Sequence, residues 1–239
     1  MKTNHERKQM QAYHGDEAVK QIYLGRVRAH RAADELVQSF GYWNEEAHKG
    51  CAVGCTIHGS DHGRYETELG VPRLIAKLED GLFESLPAKL AKTWPERFLE
   101  AITPGADLSQ VGDRFEHWLL MDEKDGVIRF AKTDEQRKAI VQVGELYAKR
   151  LAGEKVERKE WREVWDEAWR VRSAAAADAA AAAAAFAAYA AAYAADAAAA
   201  ASAAYAADAA ASARTSARVR QSEKLLELLR AAPVMAEAA

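Results

Sequence analysis

Apolar positions return at spacings of three and four through most of the chain up to Gly153, the period of helices that each bury one face. Val19, Ile22, Tyr23, Val27, His30, Ala33, Val37 and Phe40 form the first such stripe. Leu74, Ile75, Leu78, Leu82 and Leu86 form another between Pro72 and Pro87. Thr93 to Glu96 has the spacing of a capping box, in which a hydroxyl and a side-chain oxygen three residues on each satisfy a free backbone N–H, and Thr133 to Gln136 repeats it. Helices are expected to start at both places. Val111, Phe115, Trp118 and Leu119 make one further stripe, and Ile140, Val143, Tyr147 and Leu151 another. Val127 to Phe130, after Asp125-Gly126, is the one segment expected to be a loop or a short edge strand.

Beyond Gly153 the pattern changes. All fourteen glycines lie at or before that residue, and no proline stands between Pro104 and Pro233. Trp161, Val164, Trp165, Ala168 and Trp169 form a tight helical stripe, with charged residues filling the other positions. Three tryptophans on one face predict packing against the preceding helices, or an aromatic platform that binds a ligand. Residues 173 to 213 then hold thirty-one alanines in forty-one positions. Alanine loses no side-chain rotamer entropy in a helix, so the tract is expected to be helical with little outside support.

An unbroken helix from 155 to 232 would run to roughly 115 Å, far beyond the width of a domain this size. The tract therefore projects or folds back. Hydroxyls compete for backbone hydrogen bonds, which marks Ser212 to Arg218 as the expected break, with a final amphipathic helix ended by Pro233. Phe186, Tyr189 and Tyr193 share one face of the tract, and Tyr189 and Tyr193 join the three tryptophans as candidate binding residues. Tyr205, Asp208 and Ser212 lie on another face. Asp178, Asp196 and Asp208 interrupt any apolar window long enough to span a membrane, and the tract lacks the regular threonines of an ice-binding helix. A central packing helix, or a homo-oligomer formed through alanine seams, fits better.

Charge adds little direction. A formal net charge of -3 and a pI near 6.2 give no overall field for nucleic acid or an anionic membrane. The basic run from Arg214 to Arg220 is expected to be a solvated helical face. Two cysteines and an N-terminus without an apolar stretch suggest a cytoplasmic chain with reduced thiols.

Candidate chemistry concentrates in residues 50 to 70. Cys51, Cys55, His58 and His62 are nitrogen and sulfur donors within twelve residues, the ligand types that suit zinc. On a continuous helix they would spread over roughly 16 Å, so only neighbouring members would share one ion. A second possibility is nucleophilic: Cys55 activated by His58 or His62, with Glu66 or Glu68 orienting the imidazole. Glu79 and Asp80 would join if the next helix packs back. A third is structural, because the small residues from Cys51 to Cys55 suit a close helix crossing. His30, on an apolar face, is expected to be a hydrogen-bonded core residue.

The segments KGCAVGCTIH at 49 to 58 and YETELGVPRLIAKLEDGLFE at 65 to 84, followed by TWPERFLEAITPGADLS and the alanine tract, resemble a family of uncharacterised Ala-rich proteins from proteobacteria and their phages. The resemblance covers most of the chain. It implies a bacterial or phage origin, and it carries no activity, cofactor or partner.

The expectation is an all-α protein. Residues 1–15 would be a flexible N-terminus, 16–153 a helical globular region, 154–232 a long Trp-bearing and Ala-rich helical region, and 233–239 a tail. Two functions follow. One is a cytosolic binding or assembly protein scaffolded by the alanine helix. The other is a metal-binding protein, or a thiol or acid–base enzyme, working from Cys51, Cys55, His58, His62 and Glu66.

Overall fold

Helices form where the stripes place them, and the computed structural model describes them over residues 10–174 and 211–235. In chain order they are α1 (Glu17–Ala32), α2 (Ala52–Ile57), α3 (Arg73–Ser85), α4 (Ala88–Ala91), α5 (Trp94–Ala101), α6 (Val111–Met121), α7 (Asp134–Leu151), α8 (Arg158–Ala174) and α9 (Ala211–Arg230). The fold is all-α. Among the described residues its sheet is one two-residue ladder, β1 (Trp43–Asn44) against β2 (Lys49–Gly50), antiparallel with Trp43 opposite Gly50.

Helix α3 runs through the core. Ile75, Ala76, Leu78, Leu82 and Phe83 are buried, and α2, α5, α6 and α9 all pack against it. Helix α1 lies on α2 and α5. Arg28 of α1 reaches Glu96 at 2.6 Å and Glu100 at 2.7 Å on α5, and Arg31 also pairs with Glu96. These pairs are largely exposed, so they fix register more than they stabilise. Helix α6 packs on α7, and α7 on α8. Thr133 caps α7, its side chain accepting from the Gln136 N–H at 3.2 Å. Thr93 behaves differently: α5 starts beside it, but its hydroxyl donates to the Leu90 carbonyl and makes no cap.

Several expectations change. The first stripe ends at Ala32, because the backbone beyond α1 is recruited elsewhere: Val37 donates to the Gly50 carbonyl at 2.9 Å and Gly50 donates to the Glu35 carbonyl at 3.1 Å. Val37 and Phe40 thus fall outside the helix, and Ile22 is exposed. Val127–Phe130 is a 3-10 turn, not a strand. The chain before α1 is not a loose leader over its described part: Ala12 and Tyr13 are fully buried, and the Tyr13 hydroxyl donates to the Leu99 carbonyl at 2.8 Å.

The expected break at Ser212 to Arg218 is absent, since α9 runs through it. In the same helix the Ser222 hydroxyl donates to the Val219 carbonyl at 2.8 Å, within its own helix, so a hydroxyl there need not open the ladder. Leu225, Leu226 and Leu229 are fully buried, so this last helix does fold back onto the body of the protein as expected. Residues 175–210 of the alanine tract, with Tyr189 and Tyr193, lie outside the described residues. No helix among those described is long and apolar enough to cross a membrane.

Candidate functional site

The segment from Glu35 to Cys55 is organised around two glycines. The Gly50 backbone is clamped between Glu35–Val37 on one side and Tyr42–Trp43 on the other. A Cβ on Gly50 would fall 2.1 Å from the Tyr42 carbonyl oxygen, and one on Gly54 would fall 1.4 Å from it. No side chain fits at either place, so the glycines allow α2 to sit directly beneath the hairpin. The Cys51 N–H completes the junction by donating to that Tyr42 carbonyl at 3.1 Å.

Helix α2 is only six residues long, and every one of them is buried. Cys51 is its N-cap and not its first turn, with Sγ accepting from the Gly54 N–H at 3.4 Å. His58 is its C-cap, in the left-handed region at φ 49°. That conformation costs a side-chain-bearing residue roughly 1 kcal/mol, and it turns the chain sharply after α2. Cys51 and Cys55, which a longer helix would align, therefore look in different directions.

On one side Cys51 faces α3. Its Sγ and carboxylate oxygens of Asp80 and Glu84 all lie within 4.8 Å of one another. Asp80 and Glu84 are four residues apart on α3, one above the other on the same face. The Ser39 N–H holds Glu84 Oε2 at 2.7 Å. His62, buried in the turn after α2, places Nε2 at 3.5 Å from Asp80 Oδ2, and the edge-on Tyr42 ring covers it at 4.9 Å between centroids. Asp80 Oδ1 is fully buried and has no hydrogen-bond partner among the described residues. Burial, reinforced by the Asp80 charge, pushes the Cys51 thiol far above its ordinary range. Burial also raises Glu84.

On the other side are His30, Glu35, Trp43, Cys55 and His58. Cys55 Sγ donates to the backbone carbonyls of Gly50 at 3.5 Å and Glu35 at 3.6 Å. Burial pushes its thiol up to about 12, with the Glu35 charge adding to the effect. His58 stacks on Trp43, with centroids 4.6 Å apart and planes at 15°. Its Nε2 lies 2.8 Å from His30 Nε2, and His30 Nδ1 lies 2.6 Å from Glu35 Oε2. Partial burial lowers His58 below the ordinary imidazole range, helped by Arg26.

The candidate residues are thus divided. Cys51 and His62 meet Asp80 and Glu84, while Cys55 and His58 lie across α2, so the four do not gather around one ion. The Cys55–His58–Glu66 nucleophile is not assembled. Cys55 is a buried, protonated thiol bonded to backbone, and Glu66 instead accepts from the Arg73 N–H at 3.0 Å at the start of α3. Glu68 accepts from the Tyr23 hydroxyl at 3.0 Å and from Arg64 at 2.5 Å. His30 is a hydrogen-bonded core histidine as expected. Glu35 and Glu84 were not singled out by sequence, because neither belongs to a local motif.

Glu79 adds a third buried group. It accepts from the Tyr65 hydroxyl at 2.7 Å, and burial pushes its carboxyl well above the usual range. Among the tryptophans, Trp161 is buried against Tyr147 at 5.2 Å between centroids, as the packing alternative required. Trp165 and Trp169 stack at 5.8 Å, and Trp169 remains 46% exposed. Comparisons with known proteins match no family model, no curated protein and no solved structure.

Proposed function

We propose that this chain is a metal-binding protein, with a divalent transition-metal ion held by Cys51, Asp80 and Glu84 and with His62 as the adjacent nitrogen donor. The observation that carries this is the meeting of a thiol and two carboxylates within 4.8 Å, together with a buried Asp80 oxygen that has no hydrogen-bond partner among the described residues. Without a cation this arrangement crowds two carboxylates against a buried thiol. A dication reverses that balance, favouring both carboxylates and the thiolate at once.

Ligand chemistry points to zinc: one sulfur, one imidazole and carboxylate oxygens form a borderline-soft set. Donor atoms around a tetrahedral zinc lie roughly 3.5 Å apart, so small side-chain rotations would close the cluster. Two unpaired, buried cysteines agree with the reducing cytoplasm as the compartment. Assembly through the alanine tract is the other function the sequence offers, and it rests on residues outside those described.

The test is cobalt(II) titration of the chelator-treated full chain, followed by competition with zinc. Binding should bring a sulfur-to-cobalt charge-transfer band, absent in Cys51→Ser and unchanged in Cys55→Ser. Failure of the wild-type chain to bind either ion, or retention of the band in Cys51→Ser, would overturn the assignment.

A further inference from the structure

A second line of titratable groups runs from the interior to the surface and shares no residue with the metal cluster. Glu35 contacts His30, and His30 contacts His58, through ring nitrogens 2.6 and 2.8 Å from their partners. His30 is buried and His58 is exposed. Proton positions follow from the inner end. A carboxylate only accepts, so His30 donates from Nδ1. A neutral His30 then holds its lone pair on Nε2, which makes His58 Nε2 the donor. The remaining lone pair of His58 is on Nδ1, an atom with no hydrogen-bond partner among the described residues.

The ring carrying that lone pair is held in place. Trp43 stacks on its face, His30 fixes its Nε2 edge, and the left-handed backbone at His58 sets its direction. This is the arrangement of an activated nucleophile: a reacting atom on one side of an imidazole and a relay for its proton on the other.

Nearby charges select the electrophile. Arg64 is paired with Glu68, and Glu45, which accepts from Trp43 Nε1 at 2.7 Å and keeps its negative charge, acts on His58 less than Arg26 does. Glu35 is engaged with His30, and the His48 ring lies against Trp43. Arg26, whose charge acts on His58, donates to the Thr56 carbonyl at 2.7 Å and makes no ion pair among the described residues. Imidazole nitrogens accept acyl and phosphoryl groups, and an unneutralised guanidinium favours the anionic of the two. No acid among the described residues bonds to Nδ1, so the leaving group must depart without a proton. A carboxylate does so.

We propose that His58 is a phosphoryl-accepting nucleophile, driven by the Glu35–His30 relay, whose donors are acyl phosphates. His58 Nδ1 attacks phosphorus, and the P–O bond to the carboxylate breaks. The carboxylate leaves with the bonding pair, and the Nε2 proton passes to His30 Nε2. His30 becomes an imidazolium held by Glu35, and His58 carries the phosphoryl group on Nδ1. Glu35 and His30 are positioning residues in this step.

The experiment uses the full chain with acetyl phosphate as donor, read by intact mass, peptide mapping and phosphorus–proton correlation NMR. One acid-labile phosphoryl group is expected on His58, at Nδ1. The exposed His14 on the same chain is the internal reference. Glu35→Gln should slow the modification by about 10–100-fold, the range that follows loss of the carboxylate partner of a metal-bound imidazole. Arg26→Gln should slow it as well, and serves if Glu35→Gln does not fold. The rate should be the same for the chelator-treated and the zinc-loaded chain, which separates this inference from the metal site. Modification of His58 no faster than His14, attachment at Nε2, or equal rates in the folded relay variant would each overturn the proposal.

Discussion

Tyr42 and Trp43 are consecutive residues, yet their rings meet different histidines: Tyr42 covers His62 at 4.9 Å and Trp43 stacks on His58 at 4.6 Å. Extended backbone sends successive side chains to opposite faces, so one short segment separates two chemical environments. Cys51, Asp80 and Glu84 belong to the first, and His30, Glu35 and Cys55 to the second. Gly50 and Gly54 bring the two this close together.

That closeness gives the first prediction. Gly54→Ala should destabilise the protein by about 3 kcal/mol, because its methyl group meets a backbone carbonyl that has nowhere to go. Gly25→Ala, in the exposed middle of α1 with nothing among the described residues within 4 Å, should instead stabilise by about 0.5–1 kcal/mol. Urea denaturation of both variants measures the contrast, and equal effects would contradict it.

Asp80→Asn should separate metal affinity from folding. The substitution removes a charge from an acidic cluster and keeps its shape, so the chelator-treated variant should melt no lower than the wild type. Wild-type stability should rise by about 2.7 kcal/mol with zinc at a hundred times its dissociation constant, and the variant should lose that rise. Affinity should also increase with pH, since binding displaces the thiol proton of Cys51. Thermal melts across a zinc series at two pH values report both effects.

Glu116 sets a pH dependence of stability. Burial, with the Asp113 charge adding to it, pushes its carboxyl up to about 8 from the ordinary 4.5. The folded protein therefore holds a proton that the unfolded chain releases. The stabilisation is complete below pH 4.5 and is lost as pH rises toward about 8, at about 1.4 kcal/mol per pH unit in mid-window. Glu116→Gln cannot ionise, so its advantage over the wild type should be absent at pH 4 and largest above pH 8. A constant difference across that range would remove Glu116 as the cause.

The two threonine motifs should respond differently to alanine. Thr133→Ala removes a cap bond to Gln136 and should cost about 1 kcal/mol. Thr93→Ala removes no cap, so it should cost less. Thermal unfolding of the pair distinguishes spacing that forms a cap from spacing that only resembles one.

Helices were legible because each stripe is a local signal: the buried residues of α3 and α7 include most of the apolar positions their spacing marked out. The sites were only half legible. Cys51, His58 and His62 stand out as residue types, but their partners are distant in sequence. Asp80 follows Cys51 by twenty-nine residues, and His30 precedes His58 by twenty-eight. Nothing local pairs them, because tertiary packing of α1 and α3 on either side of α2 does so. The regular spacing of the cysteines and histidines misled for a related reason: α2 begins after Cys51 and stops at His58, so the helical wheel that aligns them does not exist.

The loop around Ala106 ties together sequence-distant segments. Ala12 donates to Ala106 and accepts from Gly105, while Pro233 accepts from Asp107 and Met235 donates to Gly105. Residues more than two hundred positions apart thus share one turn of backbone as their common anchor. During synthesis the inner half of this junction can close as soon as Asp107 has emerged, whereas the outer half must wait for Met235. Any nascent chain that has not yet exposed Met235 therefore presents an open seam along this loop, so the two halves of the junction close in a fixed order.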